Sequence, residues 1–187
     1  MEPSQFDFRI RSLIYIFKFE DKSVKLLKKK FSRPAEFLPE FPLNLESKLT
    51  ENTVVVVDDY EDLMSESKDH AKLIINLCNY TIHHKSVCCI LLLQSYQIFY
   101  AKHRLHSVLH SCSSLILFRA RNSFSMLKRF LNGYNVNLTN TDLYSLFKNF
   151  CNERYKYIWI NVSPNLNKPM VYSHVLWNDC EPLIVFF

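Results

Sequence analysis

The chain has 187 residues, 48% hydrophobic and 22% charged, with a net charge of +5. That is enough for a buried core, and the apolar content excludes a disordered tail. The mild positive charge permits contact with nucleic acid without demanding it. A single glycine, Gly133, excludes any glycine-rich phosphate loop, which needs several residues that tolerate positive φ and close phosphate approach.

Phe6 to Arg11 alternate apolar and polar, the pattern of a half-exposed edge strand. Leu13 to Phe17 follow as a buried strand. Ser23 to Phe31 predict a short helix, with Val24, Leu27 and Phe31 on one side and Lys25, Lys28, Lys29 and Lys30 elsewhere, a solvated face able to touch phosphate. Pro34, Pro39 and Pro42 make the next stretch an extended connector. It leads to Val54-Val55-Val56-Val57-Asp58-Asp59, four β-branched residues that read as a strand buried on both faces and then two carboxylates at its end.

Ser65 to His83 repeat apolar residues at three- and four-residue steps (Ala71, Ile74, Ile75, Cys78, Ile82) and predict a helix. His83 to Ser86 read as a polar loop, and Val87 to Leu93 as a second buried strand ending in Gln94. A helix over Gln97 to His110 comes next, then a strand over Leu115 to Phe118 that ends in Arg119 and Arg121. Ser123 to Leu131 are helical, with Gly133 placed for an αL cap. Thr139 to Asp142 form a capping-box variant that opens a helix with Leu143, Leu146, Phe147 and Phe150 inward. Tyr157 to Val162 form a further strand, and Met170 to Tyr172 and Leu183 to Phe187 are edge strands.

Strands alternating with helices predict one α/β domain over 1–187: an edge segment (1–12), a core (13–162) and an extension (163–187). The expected architecture has three layers, with a mainly parallel sheet of about five strands and helices on both faces. Parallel strands would bring Asp58 and Asp59, Gln94, and Arg119 with Arg121 to one sheet edge, where ligands of open α/β sheets bind. A metal-binding acid, a water-activating acid, a polar phosphate sensor and an arginine are what phosphoryl hydrolysis requires, because that chemistry is mostly charge stabilisation and positioning.

Other constellations carry less. His103, His106 and His110 at i, i+3 and i+7, with Cys112, make a conceivable zinc set. The same helix with Lys102 and Arg104 is a basic patch suited to a DNA backbone, or else a solvated face. The six cysteines form no C-x-x-C pair and read as buried thiols, with Cys88 and Cys89 on opposite faces of a strand. No signal peptide or membrane span is read, so the sequons at Asn79, Asn137 and Asn161 are expected to be unused.

In family order, the chain resembles the genome-packaging ATPases of large DNA viruses and Maverick/Polinton elements, in the FtsK–HerA branch of P-loop NTPases. Leu13–Phe17 and the basic helix resemble the strand and helix that follow that family's P-loop unit. Glu36-Phe37-Leu38-Pro39 and the run to Leu49 resemble the connector before Walker B. Val54–Asp59 with Leu63 and Met64 looks like Walker B, Thr81 to Val87 like the double-histidine loop, and Leu91 to Ser95 like the sensor strand with its glutamine. Leu115–Arg119 and Tyr155–Ile160 resemble the last core strands.

The resemblance covers roughly residues 13–180. It implies magnesium-ATP as cofactor, with Asp58 on the metal, Asp59 orienting water, Gln94 sensing the γ-phosphate, and Arg119 or Arg121 serving a neighbouring subunit. It also implies an intracellular setting in a virus-infected host cell, double-stranded DNA, viral assembly proteins and further copies of the chain as partners, and no membrane. The departure is the family's first strand and G-x-x-x-x-G-K-[ST] loop, whose amides and lysine hold the phosphates and which residues 1–12 do not supply. The expectation is a P-loop-less packaging-ATPase-like protein, truncated or catalytically inactive, with an incomplete P-loop core. In that core Leu115–Phe118 would close the gap by pairing with Val87–Leu93, or Phe6–Arg11 would fill it. The alternative is a non-enzymatic α/β module that binds protein or nucleic acid.

Overall fold

The computed structural model describes residues 10–95, 98–99, 103, 105–118, 123–132, 139–150, 157–161, 170–173 and 183–186. The chain divides into two compact units, Met1–Ser111 and Cys112–Phe187.

The N-terminal unit holds β1 (Ser12–Phe17), α1 (Lys22–Lys30), β2 (Ala35–Leu38), α2 (Leu45–Lys48) and β3 (Thr53–Asp58). These are followed by α3 (Glu61–Glu66), α4 (Lys68–Asn76), a π-helical turn (Leu77–Thr81), α5 (Ile82–Lys85), β4 (Cys88–Leu92) and α6 (His106–His110). Its sheet is wholly parallel, in the order β2-β1-β3-β4. A valine run suits the middle of such a sheet, because β-branched side chains are stiff at χ1 and pack well on a pleat whose two faces are both covered. Val54 to Val57 are accordingly all buried.

One sheet face sets Leu13, Val54 and Val56 against Leu27 and Phe31 on the inner side of α1. On the other, Leu91, which pairs with Val57, meets Met64 and Ile74 from α3 and α4. Helices therefore cover both faces.

Three left-handed residues shape the turns of this glycine-poor unit: Asn52 (φ 61°), Asp59 (φ 62°) and Ser86 (φ 49°). Asn and Asp tolerate this region better than other non-glycine residues. Asn52 lies in the turn before β3, where its amide donates to Ser86 and its carbonyl accepts from Arg11. Ile10 and Arg11 lie outside any strand, and Phe6 to Arg9 fall outside the described residues.

The long helix expected over Ser65–His83 is interrupted. Ser67 is extended and caps α4, its hydroxyl accepting from the His70 amide, and the helix then widens into the π turn. His83 and His84 sit in the helical turn α5 rather than in a loop. The connector between α1 and β3 is not wholly extended, since it contains both β2 and α2. Cys88 and Cys89 pair with Val54 and Val55, which places them on alternate faces, and burial pushes the Cys88 thiol up.

The C-terminal unit differs in kind. It contains β5 (Ser114–Phe118), α7 (Ser123–Asn132), α8 (Asn140–Phe150), β6 (Tyr157–Asn161), β7 (Met170–Ser173) and β8 (Leu183–Phe186). The strands form an antiparallel sheet in chain order, β5-β6-β7-β8. The expectation that Leu115–Phe118 extends the parallel sheet beside Val87–Leu93 is corrected here: β5 pairs antiparallel with β6, Leu117 opposite Ile158. The approximately five-stranded sheet is thus replaced by two four-stranded ones. Ile158 and Ile160 are fully buried, as are Leu127 and Leu131 of α7 and Leu143 of α8. Thr139 caps α8 as expected: the Asp142 amide donates to its hydroxyl at 3.1 Å, and that hydroxyl donates to the Asp142 carboxylate at 2.6 Å. Gly133 falls outside the described residues.

Candidate functional site

The carboxyl edge of the parallel sheet gathers Asp58 and Asp59 from the end of β3, Glu61 and Asp62 from the start of α3, and Gln94 from the end of β4. Tyr15 and Lys18 join them from β1 and the turn after it. In the β1–β3 register Tyr15 lies opposite Val56, so Asp58, two residues on, shares its face. The Tyr15 hydroxyl donates to Asp58 Oδ2 at 2.8 Å, while its ring stacks on Phe37 with centroids 6.0 Å apart. Burial, then the hydrogen bond to Asp58 and that carboxylate's charge, hold the phenol well above its ordinary range.

Asp59 takes the left-handed conformation immediately after the strand, and its amide donates to the Leu92 carbonyl at 3.3 Å. Gln94 Nε2 donates to Asp59 Oδ1 at 2.7 Å. Glu61 Oε1 accepts from the Gln94 amide and, at 2.8 Å, from the Ser95 amide. Lys18 pairs with Asp62 at 2.9 Å, and that hydrogen bond holds the ammonium above its ordinary range. Its amide donates to the Asp58 carbonyl. Each of the four acids in this turn is therefore engaged by a protein donor.

Of the residues expected to carry chemistry, Asp58, Asp59 and Gln94 do share one edge. Arg119 and Arg121 fall outside the described residues, and the strand they follow belongs to the other sheet. Lys102 and Arg104 also fall outside the described residues. His103 Nε2 lies 3.2 Å from the Glu66 carbonyl, and His106 and His110 meet edge-on with centroids 6.2 Å apart. Among the described residues no three His, Cys, Asp or Glu side chains form a group able to hold a metal, so the His103, His106, His110 and Cys112 set does not assemble.

Tyr15, Lys18 and Glu61 were not legible as site residues. Tyr15 sits inside an apolar strand pattern, and only the β1–β3 register reveals what its hydroxyl reaches.

A magnesium nucleotide does not fit the residues of this edge. In a parallel sheet the helix after β1 begins at the same edge, and its N-terminal amides would be the natural phosphate seat. Asp21 occupies that position, its carboxylate accepting from the Val24 amide at 2.8 Å. The turn between β1 and α1 contains no glycine, its lysine is committed to Asp62, and Asp58 has one oxygen taken by Tyr15. An apolar cavity lined by Met64, Ile74, Leu91, Leu93, Phe99 and Leu105 among others has about 10 Å³, at most the room for one water.

Comparison with protein-family models, curated proteins and solved structures finds no match to this chain. Among the described residues no helix is long and apolar enough to cross a membrane.

Proposed function

We propose that the N-terminal unit is a Walker B-type α/β domain of the genome-packaging ATPase kind that works without a bound nucleotide, as a non-hydrolysing module in viral assembly. The observation that carries the reading is the hydrogen bond from Gln94 to Asp59, made between the ends of two adjacent parallel strands. It couples the position expected of a γ-phosphate sensor to the position expected of the water-orienting acid. Asp58, the position expected of the metal ligand, is occupied by Tyr15 instead. On this reading an ancestral catalytic edge has become a closed hydrogen-bonded turn. The acids now brace β1, β3, α3 and β4, and the proposed partners are viral assembly proteins, DNA or further copies of the chain.

The test is calorimetric titration of the full chain with magnesium-ATP. The expected result is no binding heat into the millimolar range, as suits a site with no phosphate seat. Micromolar affinity that disappears in Asp58→Asn would overturn the reading.

A further inference from the structure

Helix α1 is strongly basic on the side turned away from the sheet. Residues 22–35 hold six Lys and Arg and no acid. Val24 is buried, and Leu27 and Phe31 pack against Leu13, Val54 and Val56. Lys22, Leu26 and Lys30, and beside them Lys25 and Lys29, recur at four-residue steps and form the opposite side. All five are exposed, Leu26 by 51%. Lys28 turns elsewhere: it pairs with Glu20 and lies 4.8 Å from the Phe17 ring centroid. Among the described residues the other four lysines of α1 have no ion pair.

Such a charge pattern is unfavourable for a helix left in water. Lys29 and Lys30 sit in the last turn, where they complement the helix dipole, but Lys22 opens the helix and opposes it. Lys25 and Lys29, one turn apart, repel each other. An anionic partner relieves both costs, and Leu26 narrows the choice of partner. Phe19, in the turn that leads into α1, is a second large apolar side chain left in water, at 65% exposed. A second copy would set lysine against lysine. A nucleic-acid backbone would satisfy the lysines but leave Leu26 in water, and residues 22–30 hold no ring on which a base could stack. An anionic bilayer answers both features, with charged headgroups outermost and acyl chains beneath.

We propose that the outer side of α1 binds the surface of an anionic lipid bilayer, with Lys22, Lys25, Lys29 and Lys30 among the headgroups and Leu26 at the boundary with the acyl chains. The contact is peripheral and reversible and needs no spanning helix. It is independent of the nucleotide question at the carboxyl edge of the sheet.

Co-sedimentation of the full chain with vesicles tests it, using phosphatidylcholine alone and phosphatidylcholine with about one-third phosphatidylserine at roughly 0.1 M salt. The chain is expected to bind the anionic vesicles and not the neutral ones, and to be released as salt rises. Each lysine near such a surface is worth about fivefold in affinity, so Lys25→Gln with Lys29→Gln should weaken binding about thirtyfold. Lys25→Arg with Lys29→Arg should retain it, because the charge is kept. Leu26→Ser should weaken binding about three- to tenfold with the salt dependence of the wild type, since it removes apolar burial and no charge. Circular dichroism should be unchanged in every variant, because the three positions are exposed. Three results would overturn the proposal: no binding to anionic vesicles, equal binding to neutral ones, or full binding by either the glutamine pair or Leu26→Ser. Binding of a labelled nucleic-acid duplex or single strand that the glutamine pair abolishes, with none to vesicles, would overturn it in favour of nucleic acid.

Discussion

Val55→Asp is expected to unfold the N-terminal unit. Val55 is 0% exposed and sits in the centre of the parallel sheet, opposite Ile14 on β1 and Cys89 on β4. Neither neighbour can pair with a carboxylate. An isolated buried charge costs at least several kcal/mol, comparable with the roughly 5–15 kcal/mol that stabilises a typical domain. Both tryptophans, Trp159 and Trp177, lie in residues 112–187, so their emission reports on the C-terminal unit. Each unit has its own buried core. The variant should therefore lose much of its far-ultraviolet helical signal while the tryptophan unfolding transition survives. A wild-type urea transition by both probes would show that β3 is not the centre of a buried sheet.

Ile158→Ala should weaken the other unit by about 2–5 kcal/mol, the range for removing a large aliphatic side chain from a well-packed core. Ile158 is 0% exposed on β6, an inner strand that pairs with β5 on one side and β7 on the other. The change appears as a lower urea midpoint in tryptophan fluorescence. A shift worth less than about 1 kcal/mol would contradict the assigned core, since truncations of this kind cost more when the site cannot collapse.

The parallel half of the fold was legible because Val54–Val57 is an unbroken β-branched run and its neighbours are separated by crossovers long enough for a helix. The antiparallel half was not. Leu115–Phe118 and Tyr157–Ile160 are short apolar runs, and periodicity cannot tell such a run in a parallel sheet from one in an antiparallel sheet. Direction is settled by tertiary pairing: Leu117 faces Ile158, and the tail strands add in chain order. Carrying Arg119 and Arg121 to the edge that holds Asp58 assumed one sheet where there are two.

At the site, Asp58, Asp59 and Gln94 were readable because polar residues at the ends of buried strands stand out. What they bond to was not. Tyr15 looks like one more apolar strand residue until the register places it two positions from Asp58 on the same face. Glu61 looks like a helix-opening acid until the turn after β4 offers it two amides. The break at Ser67 was hidden because Ser65 to His70 hold no apolar residue, so the spacing that starts at Ala71 does not say where the helix begins; the Ser67 cap hydrogen bond to the His70 amide marks it.

Gln94 is coupled to Asp59 across the ends of β3 and β4, and a double-mutant cycle measures that coupling most directly. Urea unfolding of Asp59→Ala, Gln94→Ala and the double variant, followed by far-ultraviolet circular dichroism, isolates the pairwise energy. The left-handed penalty of alanine at position 59 enters the single and double variants alike and cancels. The expected coupling is about 0.5–1.5 kcal/mol, as for a hydrogen bond to a partly exposed carboxylate. Strictly additive effects would contradict it.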